Sequence, residues 1–454
     1  ADNQALTAAV EAGGPVIPVF ILDPETESLG AAPRWRLEQS LRSLAAALEN
    51  KGSRLVLRRG KAPDVLEALC EEAGAKAVHW TRLYAPDTKE RDSAVKSVLK
   101  DAGVAANSHP GHVLHEPWTV ETKDGGFYKV YSPYWRAVKD REIGEPLSAP
   151  SSIPAPTHWP KSDTLDDWAL GRGMQRGAEI VARHAVVGEE AARGRLGAFV
   201  ANRIDGYRKD RDFLDREGTS RLSENLTWGE ISIRTCWHAG MRAHQEGKAG
   251  AEHFVKELVW RDFAWHLIHH TPEIVSGNWR PEWDSFPWRQ DNDDAEAWRR
   301  GMTGEPLVDA AMREMYVTGT MHNRSRMVVA SYLTKHLMTH WKVGMDWFAE
   351  CLIDHDPASN AMGWQWTAGS GPDAAPYFRI YNPETQAEKH DPSGAYRARF
   401  LHDSSGKPSH PDAESYFDAV PESWDLTPDT PYPDRIVDLK AGRERALAAY
   451  EENK

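Results

Sequence analysis

Residues 318–327 read TGTMHNRSRM, and residues 354–366 read DHDPASNAMGWQW. In both segments carboxylates, amides, arginines and tryptophans alternate with small residues, within a stretch whose spacing predicts helices. A helix that only fills a hydrophobic core does not need this mixture. It is typical of a pocket that holds a large, flat cofactor with polar edges, beside aromatic rings. The two segments therefore predict a helical domain built around a cofactor.

Tryptophan is the most frequent aromatic residue, with 19 Trp against 13 Tyr and 11 Phe. Packing alone rarely selects the bulkiest ring so often, because a buried indole N–H needs a hydrogen-bond partner. The remaining composition, with 40% apolar and 27% charged residues, is that of an ordinary soluble protein. No apolar run reaches the length of about 18 residues that a membrane helix needs, so no membrane span is predicted.

The net charge of −13 argues against non-specific nucleic-acid binding by the whole surface. Residues 203–221 and 313–335 are comparatively basic, so a local basic face remains open. Three cysteines, Cys70, Cys236 and Cys351, lie far apart and form neither a CxxC pair nor a disulfide framework. We therefore expect a reducing, cytoplasmic location.

Residues 1–117 are predicted to form an α/β domain, because short apolar runs alternate there with segments of helical periodicity. The predicted strands are 16–23, 54–57 and 77–80, with 104–106 and 113–114 as further candidates, and the predicted helices are 36–51, 63–73 and 88–102. Strands that alternate with helices imply a parallel sheet covered on both faces.

Residues 118–190 are predicted to be an interdomain linker, since 144–167 holds five prolines among Ser, Ala and Thr. Residues 191–454 are predicted to form a large all-α domain. Apolar residues recur there at helical spacing nearly to residue 400, and a final charged helix starts near Leu439.

Two local motifs have both a functional and a purely structural interpretation. Residues 218–223 precede a helix, where free backbone N–H groups bind anions such as a nucleotide diphosphate, but a simple N-cap explains them equally well. Glu257, Trp260 and Arg261 share one helix face. They could stack on a base and hydrogen-bond it, or form an ordinary ion pair beside a half-buried Trp.

Two further groups look like metal ligands at first sight. His336 and His340 stand four residues apart, and Asp354, His355 and Asp356 are consecutive. The histidine pair lacks a third ligand, and consecutive helical residues do not face one way. No metal site is predicted.

Taken together, the motifs resemble those of the DNA photolyase/cryptochrome flavoprotein family, and within it those of the cyclobutane pyrimidine dimer photolyases. The resemblance covers nearly the whole chain in the family's order. The segments that carry it are 2–6, 218–223, 227–230, 257–262, 308–313, 321–327, 363–366 and 374–383.

This resemblance implies an N-terminal α/β antenna domain, a long linker and a helical domain that holds FAD in a U shape. The diphosphate of FAD should meet Tyr207, Thr219, Ser220, Leu222 and Ser223, with Arg221 in the same loop. The isoalloxazine and ribose should be lined by Arg261, Arg326, Asp354, Asp356 and Asn360. Asn360 matches the position that faces flavin N5, where a neutral amide suits a flavin kept as the reduced anion.

The resemblance also implies a site for damaged DNA. Glu257, Asn323 and Met327 match the residues that contact the dimer and are the implied catalytic residues. Trp260 and Trp366 should stack against the dimer, and Arg324 should lie near a phosphate of the lesion. Trp364, Trp341 and Trp288 match the family's chain of three tryptophans, which carries electrons from the surface to the flavin.

The implied function is light-dependent repair of cyclobutane pyrimidine dimers by a monomer, through electron transfer from excited reduced FAD. The alternative is a cryptochrome-type blue-light photoreceptor without repair activity. Asn360, Asn323 and Met327 favour repair, since enzymes for the 6-4 photoproduct carry histidines at the positions of Asn323 and Met327.

Two departures from the family's pattern carry expectations of their own. Asp87 and Thr88 stand where folate-binding photolyases carry Asn-Glu, which argues against a folate antenna. The sequence leaves three alternatives for the antenna chromophore: a deazaflavin, another pigment, or no antenna at all. Family members usually begin with a strand ahead of the position of Asp2. The parallel sheet is therefore expected to lack a central strand, and the first domain to be less stable.

Overall fold

The computed structural model describes residues 1–402 and 406–453. A small α/β part comes first along the chain and a much larger helical part follows it. The predicted fold class is confirmed.

The α/β part alternates strands and helices as the sequence predicts. In the described part of the chain its strands are β1 (Val19–Leu22), β2 (Val56–Arg59), β3 (Ala77–Thr81) and β4 (Ala105–His109). The helices among them are α1 (Gln4–Glu11), α2 (Pro24–Glu27), α3 (Ala31–Glu49), α4 (Ala62–Ala73) and α5 (Pro86–Asp101).

The strands pair in parallel, but as two separate sheets. Strand β1 pairs with β2, with Val19 opposite Val56, and β3 pairs with β4, with Ala77 opposite Ala105. Among the described residues no strand joins the two pairs by hydrogen bonds. This division agrees with the expectation of a parallel sheet that lacks a central strand.

The segment 118–190 is not a bare linker, although much of it is irregular. It contains α6 (Tyr131–Val138), α7 (Leu165–Trp168) and α8 (Gly177–Ala182). Between α6 and α7 the proline-rich residues form no helix or strand. Backbone hydrogen bonds nevertheless tie this stretch to the α/β part, for example from the N–H of Ile153 to the carbonyl of Lys51 at 3.3 Å.

The helical part contains the remaining helices of the described chain. They are α9 (Glu189–Asn202), α10 (Tyr207–Asp210), α11 (Ser223–Thr227), α12 (Ile233–Gln245), α13 (Ala251–His270), α14 (Asp293–Arg299), α15 (Pro306–Thr318), α16 (Asn323–Ser331), α17 (Trp341–Cys351), α18 (Pro357–Ala368), α19 (Pro383–His390), α20 (Ala395–Phe400), α21 (Pro411–Ala419) and α22 (Leu439–Glu452). A single π-helical turn, Tyr332–His336, follows α16.

Helix α18 packs against α13, α16 and α17, and this four-helix arrangement positions the candidate site. One face of α13 is fully buried through Val255, Val259 and Phe263. The hydrophobic effect of such a face, about 25 cal/mol for each Å² removed from water, fixes the helix in place. Glu257, Trp260 and Arg261 of α13 are only partly buried, and they are held at the edge of this core.

The segments 318–327 and 354–366 contain well-defined turns at their helix boundaries. Gly319 ends α15 with φ +69°, a conformation that favours glycine, and an added Cβ there would lie 2.8 Å from Ile353 and Val181. Asp356 caps α18, and Pro357 follows it at the first helical position, where its missing N–H costs nothing.

Among residues 1–402 and 406–453, none of the helices combines the length and the apolar character that a membrane crossing requires. The same residues contain no cluster of three or more His, Cys, Asp or Glu side chains arranged to hold a metal ion.

Candidate cofactor and substrate site

The loop 218–223 turns sharply before α11 and presents unpaired backbone N–H groups. Arg221 is exposed and adopts φ +53°, in the left-handed region that residues other than glycine rarely use. Gly218 lies so close to Asp210 that an added Cβ would be 2.3 Å from its carbonyl oxygen. Within the described residues, the N–H groups of 219–223 donate no backbone hydrogen bond. Free N–H groups at a helix start form a cradle for a phosphate.

The side chains of the loop 218–223 differ in how deeply they are buried. Thr219 and Ser220 are partly buried, and Ser223 is exposed. Leu222 is buried and anchors the loop in the hydrophobic core. Tyr207 is also buried, with its ring packed among other aromatic rings.

A buried ionic network joins this loop to the α/β part. Arg36 of α3 is fully buried and donates to Glu224 at 3.1 Å and to both oxygens of Glu230 at 2.9 and 2.7 Å. Glu224 also accepts from Arg195 at 2.6 Å, and Glu230 accepts from Asn225 at 2.7 Å. Burial alone would lower the pKa of Arg36, but the two carboxylates raise it above its ordinary value. The network therefore stays charged and holds α11 in place.

Two arginine–carboxylate pairs connect α16 and α13 to the start of α18. Arg326 donates from Nη2 to both oxygens of the buried Asp354, at 2.9 and 2.7 Å. Asp356 accepts from the indole N–H of Trp265 at 3.0 Å and lies 3.7 Å from Nε of Arg261. These contacts bring together four of the predicted cofactor residues from three helices.

Asn360 presents an oxygen acceptor beside these pairs. Its Nδ2 donates to the backbone carbonyl of Met345 at 2.9 Å, which fixes the orientation of the amide. Oδ1 of Asn360 has no partner among the described residues. The free oxygen suits a ligand that offers an N–H group.

Histidines cap the two helices on either side of the π turn. Nδ1 of His322 accepts from the N–H of Arg324 at the start of α16, and Nδ1 of His340 accepts from the N–H of Lys342 at the start of α17, both at 3.1 Å. An accepting nitrogen must be unprotonated. Burial, with a nearby Arg or Lys, lowers the pKa of each ring from 6.5 to about 4. Both caps are therefore intact at neutral pH.

These lowered pKa values predict an acid-dependent loss of stability. Below pH 6.5 His322 becomes protonated in the unfolded chain, whereas in the folded chain it is protonated only near pH 4. The unfolded state therefore binds more protons between these pH values, and the free energy of unfolding falls as the pH is lowered. His322→Asn keeps a capping oxygen but cannot be protonated. We expect denaturant unfolding at about pH 7.5 and about pH 4.5 to show a smaller acid loss for the variant than for the wild type. Equal losses would contradict the assignment.

On the opposite side of the site, Glu257 is paired with Arg211. The guanidinium donates from Nη1 to Oε1 of Glu257, and the same nitrogen lies 2.7 Å from Nε2 of His253. Oε2 of Glu257 has no partner among the described residues. Burial lowers the pKa of Arg211, but Glu257, together with Tyr207 and Asp212, more than offsets this and leaves the pKa raised. Glu257 thus has one occupied oxygen and one oxygen open to a ligand.

Trp260 forms a stacking surface next to Glu257. Its ring lies parallel to that of Tyr131, with centroids 3.7 Å apart and planes 8° from each other. The hydroxyl of Tyr131 donates to the carbonyl of Lys256 at 2.7 Å, which ties the pair to α13. One face of Trp260 is thereby covered, and the side chain remains partly exposed. Trp366 of α18 is also partly exposed.

Helix α16 carries the predicted substrate residues Asn323, Arg324 and Met327. Asn323 is exposed and Met327 is partly buried one turn later, with Nδ2 and Sδ 3.9 Å apart. Arg324 pairs with Asp212 at 2.9 Å, so one of its Nη groups is engaged and the other remains available.

The three predicted electron-transfer tryptophans run from the core to the surface. Trp364 and Trp341 are buried and Trp288 is partly exposed. The ring of His340 lies 5.3 Å from that of Trp341 and 5.6 Å from that of Trp288. Gly344 of α17 leaves room for Trp364, since an added Cβ would lie 2.0 Å from its ring.

Several residues of the site were missed from the sequence. Arg211 and Tyr131 lie 46 and more than 100 positions from their partners, and nothing local marks them. Phe378 is 65% exposed on a loop whose Asp373 accepts from the N–H of Tyr131 at 3.2 Å. Residues 374–383 carry the resemblance to the family, but they contain several large side chains, so the sequence alone does not single out Phe378 as the exposed one.

Two family models match the chain. Residues 1–154 match the model described as DNA photolyase, and residues 254–452 match the model described as the FAD binding domain of DNA photolyase. A deoxyribodipyrimidine photo-lyase from Agrobacterium fabrum is 45% identical over 455 residues, covering 99% of this chain and 95% of the relative.

Solved structures agree with this similarity. A bacterial class III photolyase from Agrobacterium tumefaciens superposes with a TM-score of 0.90 at 43% identity, covering 100% of this chain and 95% of the other. An archaeal photolyase from Sulfolobus tokodaii, described as holding two FAD molecules, superposes with a TM-score of 0.81 at 27% identity and covers 99% and 96%.

Proposed function

This chain belongs to the DNA photolyase family, and on that premise we propose that it uses light to split cyclobutane pyrimidine dimers in DNA. The observation that carries the proposal is the convergence of α13, α16 and α18. Glu257 and Trp260 lie on α13, Asn323 and Met327 on α16, and Asn360 on α18, which packs against both of the other helices. The three sequence signals that favour repair over photoreception, Asn323, Met327 and Asn360, lie on the packed helices α16 and α18, which supports the proposal.

The residues present fit FAD. The free N–H groups of 219–223, with the hydroxyls of Thr219, Ser220 and Ser223 and the nearby Arg221, suit its diphosphate. Arg261, Arg326, Asp354 and Asp356 supply the polar edge that the ribose and ring system need. Tyr207 and Leu222 shape the loop from the core side.

The protein side chains bind and orient the two reacting partners. When bound and reduced, FAD would supply the light-driven one-electron chemistry of the repair, with the electron lent to the dimer and returned. Oε2 of Glu257 accepts a hydrogen bond from a base, while Trp260 and Trp366 stack against the dimer. Arg211, held beside Glu257, stabilises negative charge on the dimer. The free Oδ1 of Asn360 would accept a hydrogen bond from the reduced flavin, and its neutral amide would not repel the anion.

Binding of DNA requires that the dimer leave the duplex, as in other enzymes that act on a base outside the stack. Extrusion costs a few kcal/mol, and least for a lesion that already pairs badly. The exposed Phe378 is suited to fill the space that the dimer leaves, because apolar side chains commonly act as wedges between bases. The free Nη group of Arg324 and the exposed Arg379 are suited to phosphates.

The direct test is illumination of the purified, flavin-loaded protein with a dimer-containing oligonucleotide. We expect the absorbance of intact pyrimidines to return in the light and not in the dark. If fully reduced protein restores no absorbance under illumination, the proposed function is wrong.

Removal of the stacking platform should weaken lesion binding. Trp260→Ala takes away one aromatic face, worth about 1–3 kcal/mol for each stacked base. We expect the dissociation constant for a dimer-containing oligonucleotide to rise by roughly 5- to 150-fold. Trp159→Ala is the matched control, since its ring contacts Arg54 and no residue of the site. Similar losses in both variants would count against the role of Trp260.

A charge at position 360 should destabilise the reduced anion. Asn360→Asp places a carboxylate next to the flavin and repels its negative charge. We expect faster oxidation of the reduced flavin in air, followed by its visible absorption spectrum. Asn202→Asp makes the same chemical change at another Asn whose Nδ2 donates to a backbone carbonyl, but on an exposed part of α9. An unchanged oxidation rate in Asn360→Asp would remove the assignment.

We infer that the active cofactor is the reduced anion and that electrons reach it through Trp364, Trp341 and Trp288. A second chromophore of unknown identity is compatible with the α/β part, and the two FAD molecules of the Sulfolobus tokodaii relative support a flavin there. The acting species is proposed to be a monomer that binds UV-damaged DNA.

A further inference from the structure

We propose that His253 is a positioning residue that holds Arg211 on Glu257 and makes recognition of the dimer depend on pH; this inference rests on the proposed function. Nothing in the sequence motifs singles out His253. It lies one helical turn before Glu257 on α13, so both side chains project from the same face of the helix.

The geometry makes His253 a hydrogen-bond acceptor. Nη1 of Arg211 lies 2.7 Å from Nε2 of His253 and also donates to Oε1 of Glu257. A guanidinium nitrogen has no lone pair to offer, so Nε2 of His253 must accept and the ring must carry its proton on Nδ1. The two hydrogens of Nη1 are therefore divided between the imidazole and the carboxylate.

This arrangement fixes both partners of the ion pair. The Arg211 guanidinium also lies over the ring of Tyr207, with Cζ 5.6 Å from the ring centroid. Held by His253 on one side and Tyr207 on another, Arg211 keeps Glu257 in one orientation, with Oε2 left open. Without the imidazole, one hydrogen of Nη1 loses its acceptor and the guanidinium gains freedom to leave Glu257.

Protonation of His253 would reverse these contacts. Nε2 could no longer accept, the imidazolium would repel Arg211, and Glu257 would become a competing partner, since its Oε1 lies 3.6 Å away. The groups that face His253 are Tyr207, Arg208 and Arg211 from the α10 side and Lys256 and Glu257 from α13. Burial, with Arg211 next, lowers the pKa of His253 from 6.5, so the arrangement is intact at neutral pH and is lost as pH falls through the lowered value.

The test compares two substitutions in the flavin-loaded protein. His253→Gln offers an amide oxygen that can accept from Arg211 but cannot be protonated, and His253→Leu offers no acceptor. The measured quantity is the ratio of dissociation constants for an undamaged and a dimer-containing oligonucleotide in the dark, between about pH 8 and about pH 5. Taking the ratio cancels the pH dependence of general phosphate binding.

We expect the wild-type ratio to fall several-fold on acidification. The Gln variant should keep the neutral wild-type ratio over the whole range, and the Leu variant should show a reduced ratio at every pH. A Gln variant with the same acid loss as the wild type, or a Leu variant with the wild-type ratio at neutral pH, would overturn the inference. Those results leave the proposed function standing if the wild type still repairs dimers in light, whereas a wild type without light-dependent repair removes both.

Discussion

Arg36→Met should cost about 3–5 kcal/mol of stability and release FAD, because it removes the only described cation paired with the nearly buried Glu230 and leaves the buried Glu224 with Arg195 alone. Arg36 is the only described side chain that bridges Glu224 and Glu230, and none of the three is more than slightly exposed. Glu224 directly follows Ser223 in the chain, so loss of its contact with Arg36 should shift the start of α11 and with it the loop 218–223. The measurement is the urea midpoint of the flavin-loaded protein, together with release of FAD followed by its fluorescence.

Arg42→Met provides a matched control on the same helix. Arg42 also contacts two carboxylates, Glu38 and Asp166, but its side chain is 46% exposed. Exposed pairs contribute about 0–1 kcal/mol, so this variant should unfold close to the wild type and keep its flavin. If Arg36→Met and Arg42→Met shift the midpoint equally, the buried network does not hold the loop.

Gly344→Ala should destabilise the protein by about 3 kcal/mol, although alanine is the better helix former. The added Cβ would lie 2.0 Å from Cη2 of Trp364 and 2.5 Å from two further ring carbons. The ring has little room to move, because Trp364 is buried against Phe348 and Trp298. We also expect slower reduction of the flavin by light, since Trp364 is the proposed electron-transfer residue nearest to it.

Gly363→Ala is the matched control, because it makes the same substitution at a helical position where the added methyl group has space. Gly363 precedes Trp364 on α18, and an added Cβ there meets no atom within 4 Å. The usual helix preference should then apply, and the variant should gain about 0.5–1 kcal/mol with unchanged photoreduction. A stability gain in Gly344→Ala as well would show that the close approach to Trp364 is relieved without cost.

The helical domain and its cofactor segments could be predicted from the sequence because their signals are local. The caps and the periodic apolar residues of α15, α16 and α18 lie within a few positions of the features they determine. The parallel pairing of the strands followed from their alternation with helices. The division into two strand pairs depends on which strands find hydrogen-bond partners. Local sequence signals do not reveal this, and the expectation of a sheet without a central strand came only from the resemblance to the family.

Only those residues of the site that lie in local motifs could be predicted from the sequence. Arg326 and Asp354 were singled out in separate motifs, and the structure joins them in one bidentate pair. Arg36, Arg211 and Tyr131 carry no motif, and each acts through a partner that is distant in sequence. Such contacts arise only when helices have packed, so periodicity cannot reveal them.

The histidine caps of α16 and α17 limit how this sequence can diverge. A lineage that adapts to an acidic habitat would need serine or asparagine at position 322, which exchanges one capping acceptor for another. The same exchange at position 340 would also delete the imidazole between Trp341 and Trp288. Acid tolerance is therefore readily acquired at the start of α16, while at the start of α17 it conflicts with the proposed electron route through Trp341 and Trp288.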